Sequence, residues 1–197
     1  MINDIFKTPI FTKSLDIDNT AIEKYALNLK RKSKGRTVSN QGGWQSNPLQ
    51  GDIPVLKPLI NSIMFCSESF GSCIGIKMPV KLDNVWINVN NYKDANSVHV
   101  HNYSLLSGVY YVKAPADSGS IIFYHPNFPL INYDWHKGNI SEGNTYTSSK
   151  WQVPPMSGKL ILFPSWLLHS VNPNLSKENR ISISFNISDT TSPEIKG

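Results

Sequence analysis

Three histidines are the residues whose types and spacing most clearly indicate chemistry. His99 and His101 are separated by one residue in a segment rich in strand-forming residues. Because strand side chains alternate between the two faces of a sheet, both imidazoles are expected on one face. A third histidine, His169, follows the apolar segment 162–168. Imidazole binds iron, zinc, copper and nickel, so the pattern predicts a metal site.

Alternatives to a three-histidine site stay open. A His-x-His pair also occurs in strands that bind nothing. In a second alternative, His101 is structural and only His99 and His169 hold the ion. The other histidines, His125 and His136, lie in or beside an irregular segment and are expected to be ordinary polar residues.

The elements around these histidines are predicted to be mainly strands. Two amphipathic helices come first: one starts with a capping box at Thr20 and ends near Lys32, and the other opens at Pro54 and ends near Gly71. From position 77 onward we predict only strands and turns. The predicted strands are 82–90, 97–103, 106–113, 119–124, 145–153, 159–164, 167–172 and 180–187.

Eight strands behind two helices predict a mainly β fold, a double-stranded β-helix or cupin-like jelly roll. The two helices are expected to pack on one of its sheets. A short strand at 6–11 could pair at a sheet edge within the chain or with a second copy. The loop 33–52 should be long and ordered, anchored by Trp44. The aromatic-rich segment 126–149 is a candidate substrate lid.

Length and composition indicate one globular domain. The chain has 197 residues, of which 40% are hydrophobic and 11% aromatic. We divide it into an N-terminal strand and helices (1–76), a jelly-roll core (77–188) and a tail (189–197). The net charge of +5 comes mostly from basic residues between positions 24 and 36. These are interpreted as a solvated helix face, with a nucleic-acid contact as the less favoured alternative.

The two cysteines and the N-terminus indicate the compartment. Cys66 and Cys73 fall in one predicted helix, too far apart along its axis for a disulfide, and are expected to be small core residues. The sequence has no signal-peptide pattern and no apolar run of 18 residues. A cytoplasmic protein without membrane contact is expected.

At this point the sequence resembles the 2-oxoglutarate- and Fe(II)-dependent oxygenases. Their motif is His-x-Asp/Glu, a distal His and then an Arg about ten residues further on. It is similar in particular to a prolyl-hydroxylase-like subfamily of marine bacteria and phages. The resemblance extends from about Phe6 to Asn186 and is carried by segments 39–46, 99–101, 106–112, 162–169 and 180–186.

The resemblance implies a metal centre. His99 and His169 match the two histidine ligands of Fe(II), and His101 occupies the position of the carboxylate. Three neutral imidazoles leave the charge of Fe(II) uncompensated, so the dianion 2-oxoglutarate would neutralise the centre alone. No catalytic residue beyond this metal centre is implied.

The resemblance also implies a cosubstrate site. Arg180 would bind the distal carboxylate of 2-oxoglutarate through its planar fork, because a guanidinium pairs with carboxylates in a bidentate manner. Ser182 and Tyr111 would contact the same carboxylate. Ser107 and Val109 share the face of Tyr111 and are expected to line the pocket, whereas Tyr110 should point away. Asn88, or alternatively Asn90, is expected near the metal-proximal end of the cosubstrate. The alternative for Arg180 is an ion pair with a surface acid such as Glu178.

The implied activity is a dioxygenase reaction, most simply hydroxylation. Dioxygen and 2-oxoglutarate would be consumed, and succinate and an oxidised substrate formed. A peptidyl substrate or a small metabolite is favoured. Two alternatives remain: a cupin-like three-histidine metalloenzyme without 2-oxoglutarate, and a non-catalytic jelly-roll binding or virion module.

Overall fold

The computed structural model describes residues 2–134 and 137–190. In these ranges the helices are α1 (Asn19–Lys32), α2 (Lys57–Cys73) and α3 (Phe128–Asp134), with single 3₁₀ turns at Pro54–Leu56 and Lys137–Asn139. The strands are β1 (Phe11–Ser14), β2 (Asn40–Gln41), β3 (Trp44–Gln45), β4 (Val80–Asn90), β5 (Ala95–His99), β6 (Leu106–Lys113), β7 (Ile121–Tyr124), β8 (Lys150–Val153), β9 (Lys159–Pro164), β10 (His169–Val171) and β11 (Arg180–Asp189). No helix in these ranges is both long and apolar enough to span a bilayer.

The strands form two antiparallel sheets. The larger has the order β1-β9-β6-β11-β4-β3 and the smaller the order β2-β5-β10-β7-β8. Side chains from both sheets share one apolar cluster, which includes Tyr111 and Phe163 from the larger sheet and Phe123 from the smaller. The sheets therefore face each other, and the predicted mainly β jelly roll is confirmed.

Alternation along the strands divides the larger sheet between two cores. Tyr111 faces the smaller sheet, whereas Tyr110 packs in the cluster that contains Ile22 of α1 and Ile63 of α2. The two long helices therefore cover the outer face of the larger sheet, as predicted. Each fully buried aliphatic side chain here contributes roughly 1.5–3 kcal/mol. The helical layer thus supports the sheet that carries the predicted cosubstrate residues Arg180, Ser182, Tyr111 and Asn88.

Both helices begin differently from the sequence prediction. The capping box at Thr20 is wrong: Asp18 is the N-cap, and its Oδ1 accepts hydrogen bonds from the backbone N–H groups of Thr20 at 3.0 Å and Ala21 at 3.5 Å. A carboxylate satisfies these donors and complements the helix dipole. The turn that opens at Pro54 is a 3₁₀ helix, and α2 starts at Lys57.

The predicted first strand at 6–11 is wrong. Strand β1 begins at Phe11, where it pairs with Leu162 of β9, and Phe6 is 95% exposed. Pro9 has no N–H group to donate to a sheet ladder, which disfavours an earlier start. Strands 106–113 and 159–164 coincide with the prediction, but β5 ends at His99 and β8 begins only at Lys150.

The loop 33–52 joins the two sheets. It contains β2, which pairs with β5, and β3, which pairs with β4. Between them, Gly42 and Gly43 both have φ of 68°, and a Cβ on Gly42 would overlap Asp94 Oδ1. Trp44 is the anchor, as predicted: it is buried and its Nε1 donates a hydrogen bond to Ser33 O at 2.9 Å.

Two further expectations need correction. The segment 126–149 is not wholly irregular, because α3 lies within it, while Trp135 and His136 lie outside the described residues. Cys66 is buried as expected, but Cys73 is exposed and is not a core residue. Both thiols are free.

Candidate metal and cosubstrate site

Two neighbouring strands of the smaller sheet bring the three histidines together. His169 opens β10 and pairs directly with His99 at the end of β5. His101 lies two residues past His99, beyond the strand, and its backbone N–H donates to Ser165 O at 3.0 Å. The ring centroid of His99 lies 4.3 Å from that of His169 and 5.1 Å from that of His101. One ring nitrogen from each histidine lies within 4.8 Å of the other two, so all three could hold one ion.

Backbone carbonyls orient two of the rings. His99 Nδ1 lies 2.7 Å from Ser97 O, and His169 Nδ1 lies 2.8 Å from Leu167 O. A carbonyl only accepts, so in both rings Nδ1 carries the proton and Nε2 keeps its lone pair. This arrangement is typical of metal-binding histidines, whose second nitrogen donates to a carbonyl or carboxylate.

The surroundings keep all three imidazoles neutral. Burial lowers the pKa of His99. Burial and the neighbouring His99 lower the pKa of His101 to about 4 and that of His169 to about 3. At neutral pH the rings therefore do not have to lose a proton before they bind a cation.

His101 also has aromatic neighbours that the sequence prediction missed. Its ring stacks on Trp86, with centroids 5.8 Å apart, and on His169, with centroids 5.1 Å apart. Trp86 could have been found from the sequence, because it shares the strand face of Asn88. The remaining described histidine, His125, is not part of the cluster, and its Nδ1 accepts from Asn127 N at 3.1 Å.

Arg180 begins β11 and is the largest fully buried side chain in the described part of the molecule. Its Nη1 donates to the carbonyls of Ser118, of Gly119 at 3.1 Å and of Asn172 at 3.1 Å. Its Nη2 is buried and has no hydrogen-bond partner among the described residues. An end-on fork through both Nη atoms is therefore not available to a ligand, and Nη2 is the free donor.

The alternative partner proposed for Arg180 is wrong. Glu178 Oε2 instead lies 3.0 Å from Lys113 Nζ on the surface. Burial lowers the pKa of Arg180, and the nearby Tyr111 and Asp94 oppose this effect. A buried cation with an unpartnered donor is costly unless an anion compensates it.

Three other predicted residues lie beside Arg180 on the inner face of the larger sheet. Ser182 is the direct cross-strand neighbour of Asn88 on β4 and of Tyr111 on β6. Burial raises the pKa of Tyr111 to about 12, so its hydroxyl stays protonated and can donate. Asn88 Nδ2 donates to Ser184 Oγ at 3.1 Å.

One cavity connects the histidines with these residues. Val109 lines it as predicted, whereas Ser107 does not and is hydrogen-bonded behind it. The full lining comprises Ser39, Trp86, Asn88, Asn90, Asn96, His99, His101, Gly108, Val109, Tyr111, Ile121, Phe163, His169, Val171, Arg180, Ser182 and Ser184. Among these described residues there is no acidic side chain, so the cavity suits an anion.

A comparison with models of protein families identifies the family of this chain. A family model described as "Putative 2OG-Fe(II) oxygenase" matches residues 84–186. The match covers more than half of the chain and includes the three histidines and Arg180. The chain belongs to the 2OG-Fe(II) oxygenase family. Fe(II) and 2-oxoglutarate are the cofactor and cosubstrate of this oxygenase.

Solved structures share the fold of the oxygenase. The alpha-ketoglutarate-dependent epimerase SnoN from nogalamycin biosynthesis is 15% identical, with a TM-score of 0.65. The match covers 93% of this chain and 80% of the SnoN chain, and the coverages below are given in the same order. A prolyl-4-hydroxylase from Pseudomonas putida is 11% identical, with coverages of 92% and 93% and a TM-score of 0.62. HygX from Streptomyces hygroscopicus, with nickel and 2-oxoglutarate bound, is 15% identical, with coverages of 96% and 86% and a TM-score of 0.60. No curated protein matches the sequence.

The cavity of the oxygenase fits both groups. Three neutral imidazoles, each with one ring nitrogen within 4.8 Å of the others, suit Fe(II), although imidazole also suits zinc, copper and nickel. The orphaned Nη2 of Arg180 suits a carboxylate in the same cavity. The fit therefore rests on the donor atoms as well as on the family.

Proposed function

We propose that this oxygenase is a 2-oxoglutarate-dependent dioxygenase of the hydroxylase type, with a three-histidine Fe(II) centre. The observation that carries the proposal is the buried Nη2 of Arg180. It lacks a partner among the described residues and belongs to a side chain lining the same cavity as the histidine cluster. A structural arginine would have its donors satisfied by the protein, whereas this one keeps a donor for a ligand.

His99, His101 and His169 would hold the metal. The Nε2 lone pairs of His99 and His169 are set by the carbonyls that their Nδ1 atoms face. His101 takes the place where relatives of this family carry a carboxylate, so the protein adds no negative charge to the centre. The cavity then favours a dianionic cosubstrate, because its charge compensates both the metal and Arg180.

Arg180, Ser182, Tyr111 and Asn88 would hold 2-oxoglutarate. Arg180 Nη2 would donate to the distal carboxylate, and the hydroxyls of Ser182 and Tyr111 would add donors beside it. Asn88 would contact the end nearer the metal. These side chains come from three adjacent strands of one sheet, which fixes their spacing.

Bound Fe(II) and 2-oxoglutarate supply the oxidation of a substrate by dioxygen, coupled to conversion of 2-oxoglutarate into succinate and carbon dioxide. The chain's own residues orient and shield this chemistry. Phe163 packs edge-on against His169, with ring centroids 4.7 Å apart, and Phe123 packs against Phe163. This apolar wall keeps water away from the buried side of the cluster.

Hydroxylation of a peptidyl or small-molecule substrate is the reaction we favour. The support is the similarity of the motifs to prolyl-hydroxylase-like proteins, together with a fold shared with a prolyl-4-hydroxylase. Epimerisation is the alternative outcome, because an epimerase has the same fold. Product analysis with candidate substrates would distinguish a gained hydroxyl from an inverted centre.

Binding of 2-oxoglutarate at Arg180 is tested by calorimetric titration of the Ni(II)-loaded protein with 2-oxoglutarate. Arg180→Lys keeps the charge but cannot serve both the carbonyls and the carboxylate, so we expect at least a roughly tenfold loss of affinity. Arg31→Lys, on the exposed surface of α1, is the matched control and should bind as the wild type does.

Three outcomes would contradict the proposal. Equal affinity of Arg180→Lys and wild type would remove the role of Arg180. Metal binding without any 2-oxoglutarate binding would instead indicate a cupin-like metalloenzyme. Absence of metal binding would indicate a non-catalytic jelly-roll module.

A further inference from the structure

Asn90, the last residue of β4, places a buried amide at the wall of the cavity. The residue is 2% exposed and belongs to the lining. Its backbone carbonyl accepts from Asn174 Nδ2 at 3.0 Å, but its side-chain amide makes no hydrogen bond with any residue that the structure describes. The other two asparagines of the lining, Asn88 and Asn96, donate to serine hydroxyls at 3.1 and 3.2 Å. Because a buried amide without a partner is costly, the amide of Asn90 is a candidate for contact with a ligand.

The strand register places this amide beside the guanidinium. Asn90 is the direct cross-strand neighbour of Arg180, and side chains paired in this way lie on one face with Cβ atoms about 4.5–5.5 Å apart. Trp86, which stacks on His101, lies four residues earlier on the same face of β4. Four residues of a strand span about 13 Å. Asn90 therefore lies at the guanidinium end of the cavity, opposite the histidine cluster.

The loop between β2 and β3 packs on the other side of the amide. Gly43 in this loop has φ of 68°, and a Cβ there would lie 2.9 Å from Asn90 Nδ2 and 3.3 Å from Val89 O. A side chain at position 43 would therefore displace the amide, which glycine avoids. The amide is thus held between the loop and the cavity.

A neutral amide at this position leaves the charge of Arg180 available to a ligand. Arg180 Nη1 is used by backbone carbonyls, and Nη2 has no partner among the described residues. An aspartate directly opposite would give the guanidinium a buried ion-pair partner from within the protein. The asparagine has nearly the same shape but no charge, so it adds a donor and leaves the guanidinium to an anion from outside.

A carboxylate at this end of the cavity would meet donors on both sides of β11. Its two oxygens accept several hydrogen bonds, so Nη2 of Arg180 alone does not satisfy them. Tyr111 approaches from β6 on one side, and Asn90 approaches from β4 on the other. The amide nitrogen of Asn90 thus complements the donors already assigned to the distal carboxylate.

We infer that Asn90 is a specificity-determining residue for the far end of the cosubstrate: its Nδ2 donates to the distal carboxylate beside Arg180 Nη2, and its neutrality keeps that guanidinium free for the ligand. The inference rests on the proposed function, since it assumes that 2-oxoglutarate binds in this cavity. It goes further by assigning a residue of β4 that distinguishes 2-oxo acids with a distal carboxylate from those without one.

The test is calorimetric titration of the Ni(II)-loaded protein with 2-oxoglutarate and with 2-oxopentanoate, in which a methyl group replaces the distal carboxylate. Asn90→Asp is isosteric, but its charge repels the distal carboxylate and pairs with Arg180, so we expect at least about a 100-fold loss of affinity for 2-oxoglutarate. Asn90→Ala removes only the donor, and we expect a loss of roughly tenfold or more. The affinity of Asn90→Ala for 2-oxopentanoate, measured by competition with 2-oxoglutarate, should change less than about threefold.

Asn91→Asp is the matched control. It makes the same change at the next residue, which is exposed and whose Oδ1 accepts from Lys30 Nζ at 3.3 Å, an interaction that a carboxylate keeps. Water and salt screen the added charge there, so the affinity for 2-oxoglutarate should stay within about threefold of the wild type. Ni(II) affinity and melting temperature report on the folding of each variant, and either Asn90 variant decides the test if the other does not fold.

The outcomes distinguish this inference from the proposed function. A wild type that binds Ni(II) but not 2-oxoglutarate would overturn the cosubstrate site itself. A wild type that binds 2-oxoglutarate, combined with a folded Asn90 variant that binds it equally well, would overturn only the role of Asn90. An equal loss of both ligands in Asn90→Ala would overturn that role too, because the residue would then not act on the distal carboxylate. A loss confined to 2-oxoglutarate in Asn90→Ala, or a larger loss in Asn90→Asp with an unchanged Asn91→Asp, would establish it.

Discussion

Replacement of Tyr111 by phenylalanine tests the cosubstrate site with little disturbance of the fold. Tyr111 is 1% exposed, lines the cavity and lies directly opposite Ser182 across β6 and β11. The change removes one hydroxyl and leaves the ring that packs between the sheets. We expect the affinity for 2-oxoglutarate to fall and the melting temperature to stay close to that of the wild type.

The magnitude follows from the charge of the acceptor. A hydrogen bond from a neutral donor to a buried charged group contributes about 1.5–3 kcal/mol, which corresponds to a loss of roughly 10- to 150-fold in affinity. Burial raises the pKa of Tyr111 to about 12, so the hydroxyl remains a donor across the neutral range. The ratio of wild-type to variant affinity should therefore be constant between about pH 6.5 and 9.

Tyr110→Phe is the matched control. Tyr110 occupies the next position in the same strand but faces the helices, where its hydroxyl donates to Asn19 Oδ1 at 2.8 Å. Its loss should cost about 0.5–1.5 kcal/mol of stability and leave 2-oxoglutarate binding unchanged. Calorimetric titration and thermal unfolding of both variants provide the comparison. Equal affinities of Tyr111→Phe and wild type, or an equal loss in both variants, would refute the placement of the distal carboxylate.

Three further predictions concern the metal ligands and the loop that holds the guanidinium. Burial lowers the pKa of His169 to about 3 in the folded protein, so between pH 3 and the ordinary value of 6.5 the unfolded chain binds more protons than the folded one. The metal-free protein should therefore lose stability as pH falls from 7 towards 4. A melting temperature that does not change over this range would contradict the prediction. Gly119→Ala should destabilise the fold by clearly more than the roughly 1–2 kcal/mol expected for Gly75→Ala. Both glycines have φ above 80°, but only a Cβ on Gly119 would meet neighbouring atoms, namely two backbone carbonyls and Arg180 Nη1 at 2.9 Å. Equal unfolding free energies of the two variants in denaturant would show that this crowding is absent. His101→Ala should weaken Ni(II) binding at least about tenfold, whereas His125→Ala should leave it unchanged. If calorimetry gives His101→Ala and the wild type the same affinity for Ni(II), His101 is a structural residue and not a ligand.

The side chains that share the cavity could be predicted because strand periodicity is strict. Once 85–90 and 180–185 are taken as strands, alternation alone places Asn88 and Asn90 together on one face of the first strand, and Arg180 and Ser182 together on one face of the second. Tyr111 and Tyr110 separate in the same way. The His-x-His spacing correctly predicted that both rings belong to one cluster, although β5 ends at His99.

The hydrogen bonds that orient these side chains could not be predicted. Arg180 Nη1 is taken by carbonyls of two loops, around Ser118 and Asn172, and no local pattern indicates that these loops converge. Ser107 shares the strand face of Tyr111, yet its hydroxyl donates to Asn186 at 2.8 Å and the side chain does not line the cavity. Asn186 is 79 positions away in the sequence, and only the strand register brings the two side chains together.

Local sequence patterns predicted the wrong starting residue for α1 and for β1. At the start of α1, Thr20 and Glu23 fit a capping box, but the carboxylate of Asp18 accepts from the backbone N–H groups of Thr20 and Ala21, and the helix starts earlier. At the N-terminus, Phe6 and Ile10 suggested a strand, yet pairing with β9 begins only at Phe11. In both cases tertiary or electrostatic terms exceed a propensity of a few tenths of a kcal/mol per residue.

Binding of 2-oxoglutarate to iron in this protein is tested most directly by an anaerobic titration of the Fe(II)-loaded wild type with 2-oxoglutarate, followed by visible absorption. Chelation of Fe(II) by the keto acid produces a weak metal-to-ligand charge-transfer band. We expect this band to appear and saturate, and Arg180→Lys to need at least about ten times more 2-oxoglutarate to reach half of its intensity. Bound iron without any such band would contradict a cosubstrate site at this metal centre.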